Sequence, residues 1–493
     1  MEVALDDLLA DVDPRGPGCV LRVTVDDEPV AMAARGLADM ERARPVGDDV
    51  PMYGASVAKQ FTGAVVADLV REGVLHPDQR VGGWLPELSP PLGDLALHHL
   101  VHQTSGVRDV YALAALAGLP ERHLGDAHRV RALIGRQRSL QFPPGSRHGY
   151  SNSNYILLAA VVEAAVGTPL SRVTHDRIFG PLGMRSTAFG DVSGCPGYLP
   201  APDGWLRRPT PFMVPGPSGL TTTARDLARW HAELITRPGL LAGLAVNRPL
   251  TTGDRHRYGY GLAWEELGGH AAYAHSGFLP GWAAEALVVP SAGLSVVCLA
   301  STSTVPAVTL ARRAAAIALD DPAASAAEPQ DAPGPGIYLS DDGRSVVRVR
   351  HSGDKALVYT GGGALAISLT TPPTPVLPGG ARIHVHGDSL TIQNQWMAPE
   401  RFALVGGEAA EHLPVGDFTN DELGLTVQVD RDAIVIRDAN VPLEPVAPNL
   451  WRGQYQVLGL PLDLVVHRHW GEDGSWIELN LTRAHGLRFR PAS

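Results

Sequence analysis

Tyr53-Gly54-Ala55-Ser56-Val57-Ala58-Lys59-Gln60-Phe61-Thr62 is the stretch on which the reading of the whole chain turns. Gly54 marks a turn out of a strand. From Ser56 to Glu72, Ala, Val, Leu and Phe recur at helical intervals, and Gly73 closes the run at the C′ position. The pattern predicts a buried helix with Ser56 in its first turn and Lys59 one turn on, on the same face. A serine is a poor nucleophile until something takes its proton. A lysine can take it only when neutral, and burial in an apolar helix moves its pKa in that direction.

Composition sharpens the point. Of 41 Lys+Arg, only Lys59 and Lys355 are lysines. Arginine cannot give up its proton, so a lysine at 59 is what a proton acceptor requires. The spacing alone is not enough, because Ser352-Gly353-Asp354-Lys355 repeats it. There the flanks Val346 to Arg350 and Ala356 to Tyr359 alternate as a β-hairpin, so the helical context selects Ser56.

At 493 residues the chain is long enough for two or three domains, and 44% hydrophobic residues make it globular. A net charge of −11 argues against nucleic acid and leaves no basic patch for a membrane. Cys19, Cys195 and Cys298 are odd in number and far apart, which suits single buried thiols better than disulfides. Met1 to Asp7 is acidic and lacks the apolar core of a signal peptide. The longest apolar run, Tyr155 to Val166, is too short to span a membrane and carries Glu163. The expectation is a cytoplasmic protein.

Working outward, Val20 to Ala34 alternates around Asp26-Asp27-Glu28-Pro29, as a hairpin does. From about 76 to 217 the composition changes to helices and Pro/Gly-rich loops, read as a helical insert; its apolar helix runs from Asn154 to Val166 and stops at Gly167. Thr223-Ala224-Arg225-Asp226 reads as a capping box opening a helix to about Ile235. Ala271 to Pro290 and Gly293 to Ala300 are β-rich and precede a helix from Ala307 to Leu319. Residues 1–320 thus form one domain, with 321–336 a Pro/Ala/Gly-rich linker. Beyond it lie short strands and turns. Gly336-Ile337-Tyr338 aligns with Gly416-Asp417-Phe418, 80 residues on, and the copies end at Arg401-Phe402 and Arg488-Phe489. Two small antiparallel β-barrels, 337–407 and 414–493, explain the repeat best; one larger sandwich is the alternative.

A serine–lysine pair also needs a proton carrier for the leaving group, an oxyanion hole and a substrate anchor. Tyr150-Ser151-Asn152 supplies a phenol and an amide just before the Asn154 helix. His275-Ser276-Gly277 precedes an apolar strand in the same domain as Ser56. Ser56-x-x-Lys59, Tyr150-x-Asn152 and His275-x-Gly277, in that order, resemble the serine β-lactamase and penicillin-binding-protein-like hydrolases, and specifically the class C β-lactamase-like branch. The likeness covers roughly residues 15–320. It includes His102-Gln103-Thr104-Ser105-Gly106-Val107-Arg108-Asp109, Phe179 to Met184 and Gly219 to Leu227.

The resemblance implies an α/β (α+β) fold: an antiparallel sheet flanked by helices, with a helical subdomain. It implies that Ser56 is acylated, that Lys59 and Tyr150 share the base and acid work, and that Asn152 orients the acyl group or amide. The backbone N–H groups of Ser56 and Phe278 would form the oxyanion hole. His275 replaces the lysine of the β-lactamase Lys-Thr-Gly motif, which binds an anionic carboxylate, and so lowers the odds of β-lactam hydrolysis. The trailing barrels resemble the layout of D-aminopeptidases, in which a barrel loop reaches the cleft. The sequence contains no G-x-S-x-G elbow, which disfavours an α/β-hydrolase.

The implied activity is a serine hydrolase acting through an acyl-enzyme on an amide, a peptide with a D-residue or free amine, or a carboxylester. The first rival is a penicillin-binding-protein-type thioesterase or acyltransferase that takes a peptide from an acyl-carrier protein and cyclises or transfers it. The second is an inactive binding module. The site residues are Ser56, Lys59, Tyr150 and His275 for chemistry and Asn152, Ser276, Gly277 and Phe278 for substrate. The partner is a small-molecule or peptide substrate; no cofactor, metal, nucleic acid or membrane is called for, and oligomeric state is open. His98, His99 and His102 fit a helix start rather than a metal site. His384, His386, His467 and His469 are read as solvent-facing on the barrels, and Trp84, Trp230, Trp282 and Trp470 as core or cleft wall.

Overall fold

The apolar runs at the two ends of the first 320 residues pair with each other. In the computed structural model β1 (Cys19–Val25) and β2 (Glu28–Arg35) form a hairpin, and β3 (Ala263–Leu267), β4 (His270–Leu279), β5 (Trp282–Val289) and β6 (Leu294–Ala300) form a meander. The sheet order is β3-β4-β5-β6-β1-β2, antiparallel throughout. The single β-rich segment expected over 271–290 is two strands turning at Gly281, and β3 is an addition to the expected sheet. The structure describes residues 1–492 except 191–193, 211–212, 322–332, 354, 361–362, 369–381, 394–398, 406–411 and 472–473. Most of the expected linker therefore lies outside the described residues.

Strands β5 and β6 are buried along their whole length, which is what central strands covered on both faces require. Alternation sorts their side chains. Val296, Cys298 and Ala300 face a core with Leu5, Leu310 and Ala314, from the helices Glu2–Leu8 and Ala307–Ala318. Val297 and Leu299 face the other core, with Phe61 and Trp230. Those two belong to the serine helix (Ala58–Arg71) and to the helix Ala224–Thr236, whose Thr223 hydroxyl caps Asp226 N–H as its sequence foretold. Burying each such large apolar side chain stabilises the fold by about 1.5–3 kcal/mol. Cys19, Cys195 and Cys298 are free and buried.

The helical layer is built on Asn152–Val166, which ends at Gly167 with φ +66°. Its first residues, Asn152 and Ser153, are helical rather than part of a preceding loop. Among the described residues no single helix is long and apolar enough to cross a membrane.

The repeat is real in three dimensions. Gly336–Ser340 pairs with Val346–Ser352 and Glu400–Leu404, and Gly416–Asn420 pairs with Leu425–Val429 and Ala484–Pro491. Among the described residues the first sheet is a seven-stranded half-barrel; the second has nine strands and curls until Ala439–Pro442 packs against Leu450–Val457, nearly closing. Ser352 and Lys355 end a hairpin, opposite each other. One expectation fails here. His467 is not solvent-facing: its Nε2–H donates to Gly343 O at 2.6 Å, in the junction between the barrels. Of the tryptophans, Trp470 is not in the core; it is 54% exposed, with Arg468 stacked at 4.4 Å.

The second barrel docks on the helical layer. Arg437 Nε donates to Leu116 O at 3.0 Å and the Tyr455 hydroxyl to Ala115 O at 3.2 Å.

Candidate active site

Ser56 lies in a single tight turn, Ala55–Val57, that feeds the serine helix, rather than in the helix itself. Ala55 before it has φ +45°, a conformation that costs an L-residue about 1–2 kcal/mol. Strain of this kind gathers at functional sites, and here it precedes the candidate nucleophile. Strand β4 runs past this turn so closely that a Cβ on Gly277 would meet Gly54 O at 2.3 Å. On the other side a Cβ on Gly261 would meet Lys59 O at 2.0 Å. The two contacts fix the turn and the first coil of the serine helix between neighbouring backbones.

Lys59 is fully buried. Its amine lies 3.1 Å from Ser56 Oγ, 2.9 Å from Asn152 Oδ1 and 2.8 Å from Pro217 O. Desolvation, opposed by the Asp109 carboxylate and reinforced by Arg483, holds the amine's pKa well below its ordinary value. A neutral amine has two N–H donors and one lone pair. Two of its neighbours are carbonyl oxygens that can only accept, so the lone pair is left for the serine hydroxyl.

The Asn152 amide cannot turn over, because its Nδ2 donates to Asp109 Oδ2 at 2.8 Å. The same oxygen accepts the Asn152 backbone N–H at 2.7 Å, and Oδ1 accepts Tyr111 N–H at 2.9 Å. One carboxylate thus caps two helix starts and aims the amide oxygen at Lys59.

The Tyr150 hydroxyl donates to Ser56 Oγ at 2.9 Å. Burial raises the phenol's pKa, which keeps it a proton donor. His275 is fully buried beside it, with ring centres 6.2 Å apart. Its Nδ1 is 2.7 Å from Ser276 O and its Nε2 is 3.0 Å from the Tyr258 hydroxyl. The carbonyl can only accept, so Nδ1 carries the proton and Nε2 accepts from Tyr258. Burial, then Lys59, pulls the His275 pKa down to about 3. It occupies the lysine position of the related motif without that lysine's charge. Ser276 and Gly277 continue along β4, and the Phe278 side chain is 49% exposed at its end.

The second barrel also enters the site. Its turn between Gly474–Leu481 and Ala484–Pro491 places the Arg483 guanidinium 4.9 Å from the centre of the Tyr150 ring. Asp109 N–H donates to Arg483 O at 2.8 Å. Arg108, 1% exposed, donates to His485 O at 2.7 Å and Gly486 O at 2.9 Å. The turn is clamped by the two residues that precede the helix Val110–Leu116.

The structure thus joins Ser56, Lys59, Tyr150 and Asn152 in one hydrogen-bonded set, with His275 against Tyr150. Sequence reasoning missed Asp109, the Pro217 carbonyl, Tyr258 and Arg483. Asp109 lies within a stretch singled out for its resemblance. The others carry no local signal.

The sequence profile of the family described as Beta-lactamase matches residues 5–320. The chain belongs to the beta-lactamase family. The D-aminopeptidase of Brucella anthropi is 32% identical over 277 residues, 54% of this chain and 53% of that protein. The chain spans just over half the length of the curated relatives it matches. Among solved structures, the octameric penicillin-binding protein homologue from Pyrococcus abyssi matches with a TM-score of 0.59 at 20% identity, covering 82% of this chain and 100% of that one. SurE matches with a TM-score of 0.55 at 20% identity over 94% of this chain and 97% of that one. These two likenesses concern the fold.

Proposed function

We propose that this beta-lactamase family member is a serine acyl hydrolase that cleaves an amide, a peptide or a carboxylester through an acyl-enzyme on Ser56. One observation carries the reading: a buried amine with two of its three neighbours pure acceptors and the third the Ser56 hydroxyl.

The steps follow from the contacts. Lys59 takes the Ser56 proton as Oγ attacks the substrate carbonyl. The N–H groups of Ser56 and Phe278, on backbones held together at Gly54 and Gly277, receive the developing oxyanion. The bond to the leaving group breaks, and Tyr150 delivers a proton to the departing nitrogen or oxygen, replenished from Lys59. Water, or an amine in a transfer reaction, then attacks the acyl-enzyme by the reverse route. Asn152, braced by Asp109, keeps Lys59 in register and meets the substrate amide. His275, neutral and fixed through Tyr258, shapes the wall beside Tyr150 without exchanging protons at neutral pH.

D-aminopeptidase relatives at about 30% identity support amide substrates with a D-residue on the acyl side. The test is covalent labelling by a fluorophosphonate, read by intact mass, in the parent, Ser56→Ala and Lys59→Arg. One adduct in the parent, none in Ser56→Ala and slow labelling in Lys59→Arg are expected. An adduct that survives Ser56→Ala overturns the reading.

A further inference from the structure

Tyr150 ends a loop, 143–150, that lies outside every helix and strand, so its phenol depends on side contacts for its place. Gln103 braces one side. Its backbone carbonyl accepts Gly149 N–H at 2.8 Å, and its side-chain oxygen accepts Ser151 N–H at 2.9 Å. Phe142 braces the other. Its ring lies so close to Gly149 that a Cβ there would meet Cε1 at 2.6 Å. The ring therefore limits how far Gly149, and Tyr150 after it, can swing away from Ser56.

That ring is held from outside the family domain. Arg147 lays its guanidinium over it, 5.1 Å from the centre, and donates from Nη1 to Asp342 Oδ2 at 3.0 Å. Asp342 belongs to the first barrel, in the turn between Gly336–Ser340 and Val346–Ser352. Its Oδ1 accepts the Ser340 hydroxyl at 2.8 Å and Arg344 N–H at 3.0 Å, which aims the carboxylate from within its own turn. Arg344 donates to the carbonyl of Gln141, next to Phe142, at 3.1 Å and to Glu478 of the second barrel at 3.2 Å. The turn is thus wedged between the second barrel and the loop that carries Tyr150.

Both partners of the Arg147–Asp342 pair are partly exposed, so the pair adds little to stability. Its effect on placement is larger. A proton donor must stay within hydrogen-bond reach, and a displacement of about 1 Å can cost about a hundredfold in rate.

We propose that Asp342 of the first barrel is a positioning residue for Tyr150. Acting through Arg147 and the Phe142 ring, it keeps the phenol at Ser56 while the leaving group takes its proton. The first barrel thereby takes part in leaving-group protonation without supplying a reacting atom. The inference rests on the acyl-enzyme reading of Ser56, with Tyr150 as its acid.

The test is kcat/KM for two esters of one acyl group, ethyl butyrate and p-nitrophenyl butyrate. The ethoxide must be protonated as it leaves; the nitrophenolate need not be. Asp342→Asn and Arg147→Gln should each lower kcat/KM for the ethyl ester by about tenfold to a hundredfold and leave the nitrophenyl ester near the parent's value. Asp342→Glu, which keeps the charge, should recover part of the loss. With Tyr150→Phe already present, Asp342→Asn should take nothing further from the ethyl ester. Equal losses on both esters would mark a merely structural contact and overturn the inference. So would an unchanged ratio of the two esters, or a full further loss on top of Tyr150→Phe. Fluorophosphonate labelling of the parent keeps the two readings apart. A parent that fails to label overturns the acyl-enzyme reading, whereas labelling with an unmoved ester ratio in Asp342→Asn overturns the role of Asp342 alone.

Discussion

Lowering the pH from 7 to 5 should destabilise this protein sharply, and the structure says by how much. Burial pulls His148, His231 and His275 down to about 3 and His256 to about 4, and lowers His102 as well. An unfolded chain takes up protons at each of these positions below about pH 6.5. The folded chain refuses them until pH 3–4, so stability is lost as acid is added. Over two pH units each histidine with a folded pKa of 3–4 removes about 2 kcal/mol, or about 8 kcal/mol for the four. Buried carboxyls oppose them: burial raises Glu285, Glu400 and Asp463. Glu285 is pushed up to about 7 by burial, so it is relieved by protonation and returns about 2 kcal/mol over the same interval. Over these four histidines and Glu285 the net loss is about 6 kcal/mol, comparable to the whole stability of a typical domain, about 5–15 kcal/mol, and His485, pulled down to about 4, adds to it. Urea unfolding curves at pH 7, 6 and 5 measure it directly. His231 offers the internal check: it lies outside the candidate site, with Nδ1 2.7 Å from Ser295 Oγ. The difference between pH 7 and pH 5 should be about 2 kcal/mol smaller in His231→Gln than in the parent. A parent that loses less than about 2 kcal/mol, or a His231→Gln variant with an unchanged difference, would refute the linkage argument.

Lys59→Arg should cut kcat by about 10²–10⁴-fold although charge is kept, since arginine cannot accept the serine proton; turnover near the parent's would remove Lys59 as the base. Tyr150→Phe should lose about 10²–10³-fold on amides and much less on an activated aryl ester, whose leaving group needs no proton; equal losses on both would count against a proton-delivering phenol. Asp109→Ala strips the Asn152 amide and two helix starts of their acceptor, and should lower stability by about 1–3 kcal/mol. Because Asp109 raises the Lys59 pKa, the same variant should move the acid limb of the kcat profile to lower pH; a shift to higher pH would contradict the assigned electrostatics.

The parts of this molecule that could be read from the chain are those in which chemistry and periodicity coincide locally. Ser56 and Lys59 share one helical turn, so their meeting needed only the 3.6-residue repeat and a buried environment. The hairpin β1–β2 and the helix stop at Gly167 announced themselves through turn residues. Even so, the tight turn that holds Ser56 outside the helix proper depends on Gly277 and Gly54 meeting across strands, and no local propensity reports that. Asp109 shows a different failure. Its neighbours in sequence suggest an ordinary helix cap, and it is one, for Val110–Leu116. Its second oxygen reaches the start of another helix, 43 positions away, and that contact makes it part of the site.

Arg483 marks the limit most clearly. It sits in a two-residue turn of a repeated barrel, in a chain that uses arginine almost wherever it needs a cation. Nothing in that setting separates it from Arg437 or Arg490. What separates it is docking: Arg108 and Asp109, consecutive residues of the family domain, hold the backbone of the turn at Arg483, His485 and Gly486. A guanidinium held there lowers the pKa of both Lys59 and Tyr150, so the barrel acts on the chemistry as well as on the shape of the cleft. Arg108→Ala therefore separates two roles for the barrel. If docking only closes one end of the cleft, loosening the turn should widen the range of substrate lengths and leave the pH dependence of kcat in place. If Arg483 is an electrostatic component of the site, the acid limb set by Lys59 should move to higher pH as the guanidinium withdraws. The present geometry requires the second result, and an unmoved limb in Arg108→Ala would reduce the barrel to a wall.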